Sequence, residues 1–310
     1  MTNAGWIEPD VLYHYTGVDG LRGILNPPSW PIETSGNAFR IAAKMLANDV
    51  RFMNDTQELR FGAEIMGARL ARAADDPEIP ADMRAAFGDL VPWFSPDAVV
   101  SGGMRCFAAC FCDNGDALNQ WYGYAGGTGG FAIGFDWEAV AGHTWTFHPH
   151  PAPGAPPWES QTALQPVAYG IKDAEARVDG AVTALVERRG GGVLIRDGRP
   201  DRFHLAVGLF RVVATIKHDG FAPEREWRLF SPSEVQYPAD LRETRFGPAH
   251  YVEMVINLQG DNDICSHRTI ADLVVGPGKD QENQVILARE LLEERGHDPD
   301  VVRASNTPLR

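Results

Sequence analysis

Two glutamates separated by one residue, Glu224 and Glu226, have the types and spacing needed for acid–base chemistry. In a β-strand both would project from the same face, and neighbouring carboxylates shift each other's pKa, so that they can take different roles. One can polarise a nucleophile while the other hydrogen-bonds a sugar hydroxyl and supports a developing cation. Arg225 and Arg228 beside them could pair with a pyrophosphate. An isolated pair of this kind also occurs on charged surface strands, and this alternative stays open.

A second cluster, Tyr13-His14-Tyr15-Thr16, is typical of a strand rich in aromatic and β-branched residues. Alternation along the strand would place His14 and Thr16 on one face and the two tyrosines on the other. The pattern predicts either a buried histidine satisfied by the protein itself or a polar pair that lines a cleft. In the second case the imidazole would donate to a hydroxyl or amide of a substrate.

A third cluster joins aromatic residues to glycines. Trp121, Tyr122 and Tyr124 precede the run GGTGG at positions 126–130. Aromatic rings beside flexible backbone suit stacking on a planar ligand and close approach of the main chain to a phosphate. The run matches neither a Walker loop nor a dinucleotide-binding fingerprint, and a hairpin turn without a ligand gives the same pattern.

The cysteines offer a weaker hypothesis. Cys106, Cys110 and Cys112 differ in number by even steps, so that in a strand they would share one face. Together with Cys265 and His267 they could form a zinc site, but the paired CxxC spacing of structural zinc sites is missing. We therefore predict small apolar core thiols and no metal.

The hydrophobic patterns predict a mixture of helices and strands that would position these clusters. Predicted helices cover 18–26, 56–74, 172–190, 201–217 and 280–295, the second beginning at the cap candidates Asn54-Asp55-Thr56. Predicted strands cover 11–16, 104–112, 130–136, 163–169, 225–230, 250–257 and 271–275. Because several adjacent strands lack an intervening helix, the pattern favours an α+β fold. The Pro-rich segment 148–160 is interpreted as a surface loop within a single domain over 1–310, rather than as a linker.

Composition and charge exclude several functions. The 28 basic and 42 acidic residues give a net charge of −14, which argues against a broad nucleic-acid-binding surface. No stretch approaches the roughly 20 apolar residues that span a bilayer, and the first residues lack a secretory signal pattern. We therefore expect a cytoplasmic protein with no membrane partner. The motifs of serine hydrolases, zinc proteases and P-loop enzymes do not occur in the sequence.

Over residues 11–280 the sequence resembles the bacterial family called domain of unknown function 2971. The resemblance rests on five blocks in the same order: LYHYTG with GIL, FMNDTQEL, CFCDNGDALNQWYGYAGGTGGFAIGFD, PEREWRLF and LVVGPGKDQE. The order of the blocks is more specific than any one of them, and the family name itself implies no activity.

The layout is also similar, more faintly, to that of ADP-ribosyltransferases, which place a histidine on a first strand before an aromatic middle block and a late E-x-E. This resemblance implies a split, mostly antiparallel β-sheet core with surrounding helices and a cleft for NAD. The Ser-Thr-Ser triplet of arginine-type transferases is missing from the middle block. The catalytic residues implied are Glu226, Glu224 and His14, and the implied NAD-binding residues are His14, Thr16, Trp121, Tyr122, Tyr124 and Arg228.

The resemblance implies that NAD is a substrate, cleaved at the nicotinamide–ribose bond, and that ADP-ribose passes to a protein or nucleic-acid acceptor. A toxin or phage-defence role, with an antitoxin or immunity partner, is left open. The alternatives are a non-catalytic module that binds a nucleotide or a partner, and an NAD or nucleoside glycohydrolase. The first hypothesis predicts that His14, a tyrosine of 122–124 and Glu226 converge on one cleft. Solvent-facing glutamates, or a cleft closed by Trp227, would favour the non-catalytic module.

Overall fold

The computed structural model describes residues 7–26, 33–34, 37–53, 56–125, 129–147, 158–159, 163–187, 195–196, 199–231, 239–244, 247–260 and 269–308. The helices among them are α1 (Val18–Leu25), α2 (Thr56–Asp75), α3 (Ala81–Leu90), α4 (Ala98–Ser101), α5 (Leu118–Tyr124), α6 (Trp137–Gly142), α7 (Gly170–Glu187), α8 (Arg202–Val213) and α9 (Gln281–Glu294). The strands are β1 (Val11–Thr16), β2 (Glu33–Thr34), β3 (Asn37–Asp49), β4 (Phe107–Cys112), β5 (Phe131–Asp136), β6 (Thr144–Phe147), β7 (Trp158–Glu159), β8 (Ala163–Pro166), β9 (Ala168–Tyr169), β10 (Ile195–Arg196), β11 (Arg199–Pro200), β12 (Ile216–Lys217), β13 (Glu226–Phe230), β14 (Asp240–Thr244), β15 (Gly247–Gly260), β16 (Ile270–Val275) and β17 (Val302–Ala304).

Most of these strands form one sheet in the order β17-β16-β5-β1-β4-β3-β15-β6-β7, and β13 pairs with β4 and with β8. Neighbouring strands of this sheet run antiparallel, apart from the parallel pair of β16 and β17. The structure thus confirms a mixed α and β fold around a mostly antiparallel open sheet. The ADP-ribosyltransferase-like version of that fold stays a prediction.

The sheet divides beside β4. Along one edge β4 pairs with β13 from Glu226↔Cys112 to Phe230↔Ala108. On the other edge it pairs with β1 only at Cys112 and with β3 only at Ala108 and Phe107, among the strands described. Residues 109–111 therefore face a gap between β1 and β3, where a sheet would otherwise be continuous.

Two large hydrophobic cores pack on the two faces of β4 and β13, and a smaller cluster around Tyr15 and Trp121 adjoins the end of β4. On β13 the side chain of Phe230 enters the first core, whereas Trp227 and Leu229 enter the second, as strand alternation requires. The first core is covered by α2, α3, α7 and α8, and the second by α1, α6 and α9. The predicted apolar face of α2 is confirmed, since each of its residues is buried: Leu59, Ala63, Met66 and Leu70.

Many predicted elements are confirmed to within one residue at either end, namely the strands over 11–16, 130–136 and 271–275 and the helices over 56–74 and 280–295. The helix predicted over 201–217 is too long. It ends at Val213, where Thr215 donates its backbone N–H and its hydroxyl to Val212 O, and Lys217 then lies in β12 beside β9.

The strand predicted over 225–230 begins one residue late, at Glu226, and the reason concerns the candidate site. Residues 219–224 form a 3-10 helix, and Arg225 takes a left-handed conformation with φ of 48°. Glu224 therefore lies outside the strand, and the condition under which Glu224 and Glu226 would share one strand face is not met.

The Pro-rich segment 148–160 lies outside the described residues except for β7, so its interpretation as a loop of a single domain stays a prediction. Among the helices that the structure describes, none has the length and apolar character needed to cross a membrane.

Candidate functional site

A cavity of about 390 Å³ opens in the gap beside β4. Its volume lies in the range of small-molecule binding sites, roughly 300–1,000 Å³. Its walls include residues 13–16 of β1, residues 108–112 of β4 and the helix α1. The charged side chains on its wall are Lys44, Glu58, Lys217, Glu224, Glu226, Arg228 and Arg242.

Most of the site residues predicted from the sequence meet at this cavity. Its wall includes His14, Thr16, Tyr124, Glu224, Glu226 and Arg228. These residues come from the start of the chain, from α5 and from the region of β13, and the fold brings them together. The predicted convergence of a histidine, a tyrosine and a glutamate is therefore confirmed, although their roles stay predictions.

Two predicted residues lie elsewhere. Trp121 is buried and packs edge-on against Tyr15, with ring centroids 4.7 Å apart, while its indole N–H donates to Asp116 at 2.8 Å. Tyr122 is 53% exposed. Neither residue belongs to the described cavity wall, so the structure offers no support for their contact with a ligand there.

Lys217 is the centre of a group of five charged side chains, which we call the ion cluster: Glu58, Lys217, Glu224, Glu226 and Arg228. The Lys217 ammonium is 4% exposed. Its Nζ lies 3.1 Å from Glu58 Oε1, 2.6 Å from Glu224 Oε2 and 2.8 Å from Glu226 Oε2. An ammonium has three N–H donors, so each can meet one of these carboxylates.

Arg228 completes the ion cluster from β13. Its Nε donates to Glu226 Oε1 at 2.7 Å, and its Nη2 lies 3.1 Å from Glu226 Oε2 and 3.2 Å from Glu58 Oε2. Its Nη1 donates to the carbonyl of Ala214. Arg228 is therefore occupied by protein acceptors. Arg225, the other arginine suggested for pyrophosphate, turns to Asp113, with 2.6 Å between Nε and Oδ1, and lies outside the described cavity wall.

The pKa values of Glu226 and Glu224 shift in opposite directions within the ion cluster. Burial alone would raise the pKa of Glu226, but the adjacent Arg228 and Lys217 cations lower it to about 2. Burial raises the pKa of Glu224 above its ordinary value, although Lys217 opposes this. Three carboxylates and two cations give the fully ionised cluster a net charge of −1.

Glu224 is the most accessible of the three carboxylates. Its side chain is 20% exposed, compared with 8% for Glu226 and 10% for Glu58. The described ion pairs of Glu224 use only Oε2, whereas those of the other two use both oxygens. Glu224 reaches Lys217 from the end of the 3-10 helix, before the left-handed Arg225 that leads into β13. Burial and the Glu224 carboxylate raise the pKa of Tyr124, whose phenol is therefore protonated.

His14 enters the site as a neutral imidazole. Burial lowers its pKa, and the nearby Arg242 lowers it further. Its Nδ1 lies 2.9 Å from the carbonyl oxygen of Cys110, which can only accept, so Nδ1 carries the proton. Nε2 is then a hydrogen-bond acceptor. The sequence-based expectation that the imidazole donates to a substrate is replaced by acceptance at Nε2.

Thr16 ends β1 at the cavity wall, and Gly20 in the first turns of α1 makes room for it. A Cβ at position 20 would lie 1.7 Å from Thr16 Oγ1. The position of the Thr16 hydroxyl therefore depends on the absence of a side chain at Gly20.

Sequence reasoning missed several residues of this site. The sequence predicts that Lys217 ends a helix, and it does not single out Glu58 as a site residue. Arg242 and Asn48 belong to no motif, and no local pattern marks Lys217 as a site residue. The cap candidates Asn54 and Asp55 lie outside the described residues.

Burial keeps the three cysteines that the structure describes as protonated thiols. Burial raises the pKa of Cys106 and of Cys112 to about 12, and that of Cys110 well above its ordinary value. The Cys110 thiol lies close enough to Glu226 to help lower the pKa of that carboxylate. Within the described ranges, no group of three or more His, Cys, Asp or Glu side chains is arranged to hold a metal ion. Cys265 and His267 lie outside those ranges.

Comparison with known proteins gives one match. No curated protein and no solved structure matches this chain significantly. The family model that matches covers residues 120–229, which include Tyr124 and the ion-cluster residues Lys217, Glu224, Glu226 and Arg228, whereas His14 and Glu58 lie before it. The resemblance noted in the sequence is thus confirmed over part of its length: residues 120–229 match the family described as "Protein of unknown function (DUF2971)".

Proposed function

We propose that the cavity binds NAD and that the protein is an ADP-ribosyltransferase, which cleaves the bond between nicotinamide and ribose. The observation that carries this proposal is the convergence of His14, Tyr124 and Glu226 on one cavity. The chain needs three separate elements to bring these residues together, so local sequence propensity does not account for their meeting.

The ion cluster suits the charge that develops in this reaction. When the bond breaks, its electron pair stays on the nicotinamide nitrogen and the ribose becomes an oxocarbenium-like cation, as in glycoside hydrolysis. A preorganised site of net negative charge stabilises such a cation without reorganising during the reaction. Lys217 and Arg228 hold Glu226 and Glu58 in fixed positions, and the surplus carboxylate provides the negative charge.

The acceptor that attacks C1′ of the ribose must lose a proton, and Glu224 is placed to take it. The Oε1 atom of Glu224 lies outside the described ion pairs. Burial raises the pKa of this carboxylate, which makes it a stronger base. Glu226 has a pKa of about 2 and stays ionised throughout. The two glutamates therefore have different roles. The negative charge of Glu226 stabilises the ribose cation, and Glu224 takes the proton of the acceptor.

The remaining residues position the substrate. His14 Nε2 accepts a hydrogen bond from a ribose hydroxyl or from the carboxamide N–H, and Thr16 lies on the same wall. Tyr124 lines the cavity with a ring that is 40% exposed, which gives a face for stacking with nicotinamide.

A non-catalytic ligand-binding protein is the second candidate. The observation in its favour is that Glu226 and Glu58 use all their carboxylate oxygens in ion pairs, as a purely structural cluster would. Against it, Glu224 borders the cavity, and Trp227 packs against Trp137 in the second core rather than closing the cleft.

The test is release of nicotinamide from NAD by the wild type, by Glu226→Gln and by Glu224→Gln, with and without a cell lysate as the source of acceptor. Glu226→Gln leaves two carboxylates facing two cations, so the net charge of the ion cluster changes from −1 to zero and the surplus negative charge is lost. We expect release to fall by about 10²–10³-fold, the usual effect of removing one preorganised electrostatic group.

Glu282→Gln is the matched control, because Glu282 is exposed on α9, far along the chain from the site. It should release nicotinamide at the wild-type rate. Thermal unfolding of each variant separates lost chemistry from lost folding. A wild type that neither binds NAD in a direct titration nor releases nicotinamide with lysate present would reject the enzyme and favour the binding protein.

A further inference from the structure

Arg242 differs from the other cations on the cavity wall. Lys217 contacts three carboxylates, Arg228 contacts two, and Lys44 lies 3.4 Å from Glu253. Arg242 has no ion pair with a carboxylate among the residues that the structure describes. A half-buried guanidinium without a counterion is costly unless a ligand supplies the negative charge.

Neutral groups fix the orientation of Arg242. Asn48 Oδ1 accepts from Nε at 3.1 Å and from Nη2 at 2.8 Å, and the guanidinium carbon lies 5.8 Å from the centroid of the Tyr251 ring. Asn48 belongs to β3 and Tyr251 to β15, opposite each other in the register. The guanidinium is thus held along one edge by a rigid part of the sheet.

Within the part of the chain that the structure describes, the hydrogen bonds of Arg242 to Asn48 leave the other edge of the guanidinium for a ligand. The edge formed by Nη1 and Nη2 carries two parallel N–H groups, the geometry with which arginine binds phosphate in a bidentate manner. Arg242 lines the same cavity as His14, and it lies close enough to lower that residue's pKa. An anion held there would lie beside the predicted ribose site.

We propose that Arg242, oriented by Asn48, binds a phosphate group of the ligand, which makes the ligand of this cavity a nucleoside diphosphate derivative. This inference deepens the proposed function and rests on it for the choice of nucleotide. It also replaces Arg228, which sequence reasoning assigned to the cofactor but whose guanidinium is occupied by protein acceptors.

The ion cluster and Arg242 have opposite charges, and this difference determines the orientation of the ligand in the cavity. The ion cluster carries −1 when fully ionised, whereas Arg242 carries +1 without a carboxylate partner in the described residues. NAD has the matching polarity, since its nicotinamide ring is cationic and its diphosphate anionic. The ring then lies toward the ion cluster, and the diphosphate toward Arg242.

The experiment measures binding of inorganic pyrophosphate and of ADP-ribose by calorimetric titration to the full chain. Wild type is compared with Arg242→Gln, with Arg242→Lys and with the control Arg202→Gln, an exposed arginine that forms an ion pair with Asp89 outside the described cavity wall. We expect Arg242→Gln to weaken both ligands about 10- to 100-fold, the usual effect of losing a charge-assisted contact. The affinity of Arg242→Lys should lie between those of the wild type and Arg242→Gln, because lysine keeps the positive charge but lacks the two parallel N–H groups of arginine. Arg202→Gln should bind both probes as the wild type does.

Wild-type affinity in Arg242→Gln, or no binding of either probe by the wild type, overturns the proposal. If Arg242→Gln does not fold, Arg242→Lys carries the test, and unchanged affinity in that variant overturns the proposal equally. Pyrophosphate that binds through Arg242 to a protein that leaves NAD intact supports the anion site and rejects the proposed function. NAD cleavage with unaltered affinity in Arg242→Gln rejects the anion site alone.

Discussion

At the scale of single residues, Lys217 determines whether three carboxylates can share one buried site. Burying like charges together is unfavourable unless cations lie between them, and Lys217 touches all three. The same carboxylates raise the pKa of Lys217, which overcomes the opposing effect of burial. This lysine therefore stays protonated and acts as a structural cation rather than as a nucleophile.

Lys217→Met is expected to lower the free energy of unfolding by about 3–5 kcal/mol, because it leaves buried carboxylates without their main counterion. Urea denaturation at pH 7 measures the change. The control is Lys172→Met on the exposed surface of α7, which should be nearly neutral. A loss below about 1 kcal/mol for Lys217→Met would show that the carboxylates are already protonated or hydrated.

The lowered pKa of Glu226 predicts how the free energy of unfolding depends on pH. Its pKa is about 2 in the folded protein, compared with an ordinary value of 4.5, so the unfolded chain takes up the proton first as pH falls. The stabilisation from Glu226 is therefore complete above pH 4.5 and is lost as pH falls toward 2. Urea denaturation of the wild type and of Glu226→Gln between pH 7 and pH 3 tests this. The wild type should lose more stability across that interval, and parallel curves would contradict the assignment.

Sequence analysis found residues whose role follows from local alternation, and it missed those whose role depends on distant pairing. His14 and Thr16 share a strand face by simple alternation, and that prediction needed no knowledge of the fold. Lys217 and Arg242 acquire their roles only through contacts with residues such as Glu58 and Asn48, which are separated from them by more than 150 positions. No local pattern encodes such contacts.

At the scale of elements, α1 supplies a wall of the cavity through two glycines that differ in their surroundings. Both Gly20 and Gly23 line the cavity. A Cβ at Gly20 would collide with Thr16, whereas a Cβ at Gly23 would have nothing within 4 Å. The same substitution at the two positions therefore separates helix propensity from the geometry of the Thr16 hydroxyl.

Gly23→Ala should stabilise the protein by about 0.5–1 kcal/mol, the helix-propensity gain of alanine over glycine. Gly20→Ala gains the same propensity but must rotate Thr16 away from its position. We expect Gly20→Ala to bind ADP-ribose more weakly, with Gly23→Ala close to the wild type. Thermal unfolding and calorimetric titration of both variants check this, and equal affinities would mean that Thr16 does not contact the ligand.

Element prediction failed where a tertiary contact overrides local preference. The residues after α8 are apolar enough to continue the helix. Instead, the hydroxyl of Thr215 donates to Val212 O, and Ile216 and Lys217 pair with β9. The strand predicted from residue 225 begins only at Glu226, because Arg225 follows a 3-10 helix with φ of 48° and its side chain donates to Asp113. Both failures lie within the ion cluster or next to it.

At the scale of the whole molecule, the end of the described chain is fastened to the loop that leads into α5. Asp116 accepts from the indole of Trp121, from the backbone N–H of Asn306 and from the hydroxyls of Ser305 and Thr307. Burial alone would raise the pKa of Asp116, but these hydrogen bonds lower it. The C-terminal residues after β17 thus brace the element that carries Tyr124, although they lie outside the described cavity wall.

Asp116→Asn should weaken the hydrogen bonds between the loop before α5 and the C-terminal residues. The amide NH₂ would replace a carboxylate oxygen that now accepts from these donors. The expected loss is about 2–3 kcal/mol of unfolding free energy, since hydrogen bonds to a charged group are among the stronger ones. Amide hydrogen exchange should also become faster over residues 302–308 and 113–121. Asp280→Asn is the control, because Asp280 precedes α9 and its side chain makes no capping hydrogen bond. Slow exchange retained over 302–308 in Asp116→Asn would show that β17 alone holds the C-terminal residues, and that α5 is positioned independently of them.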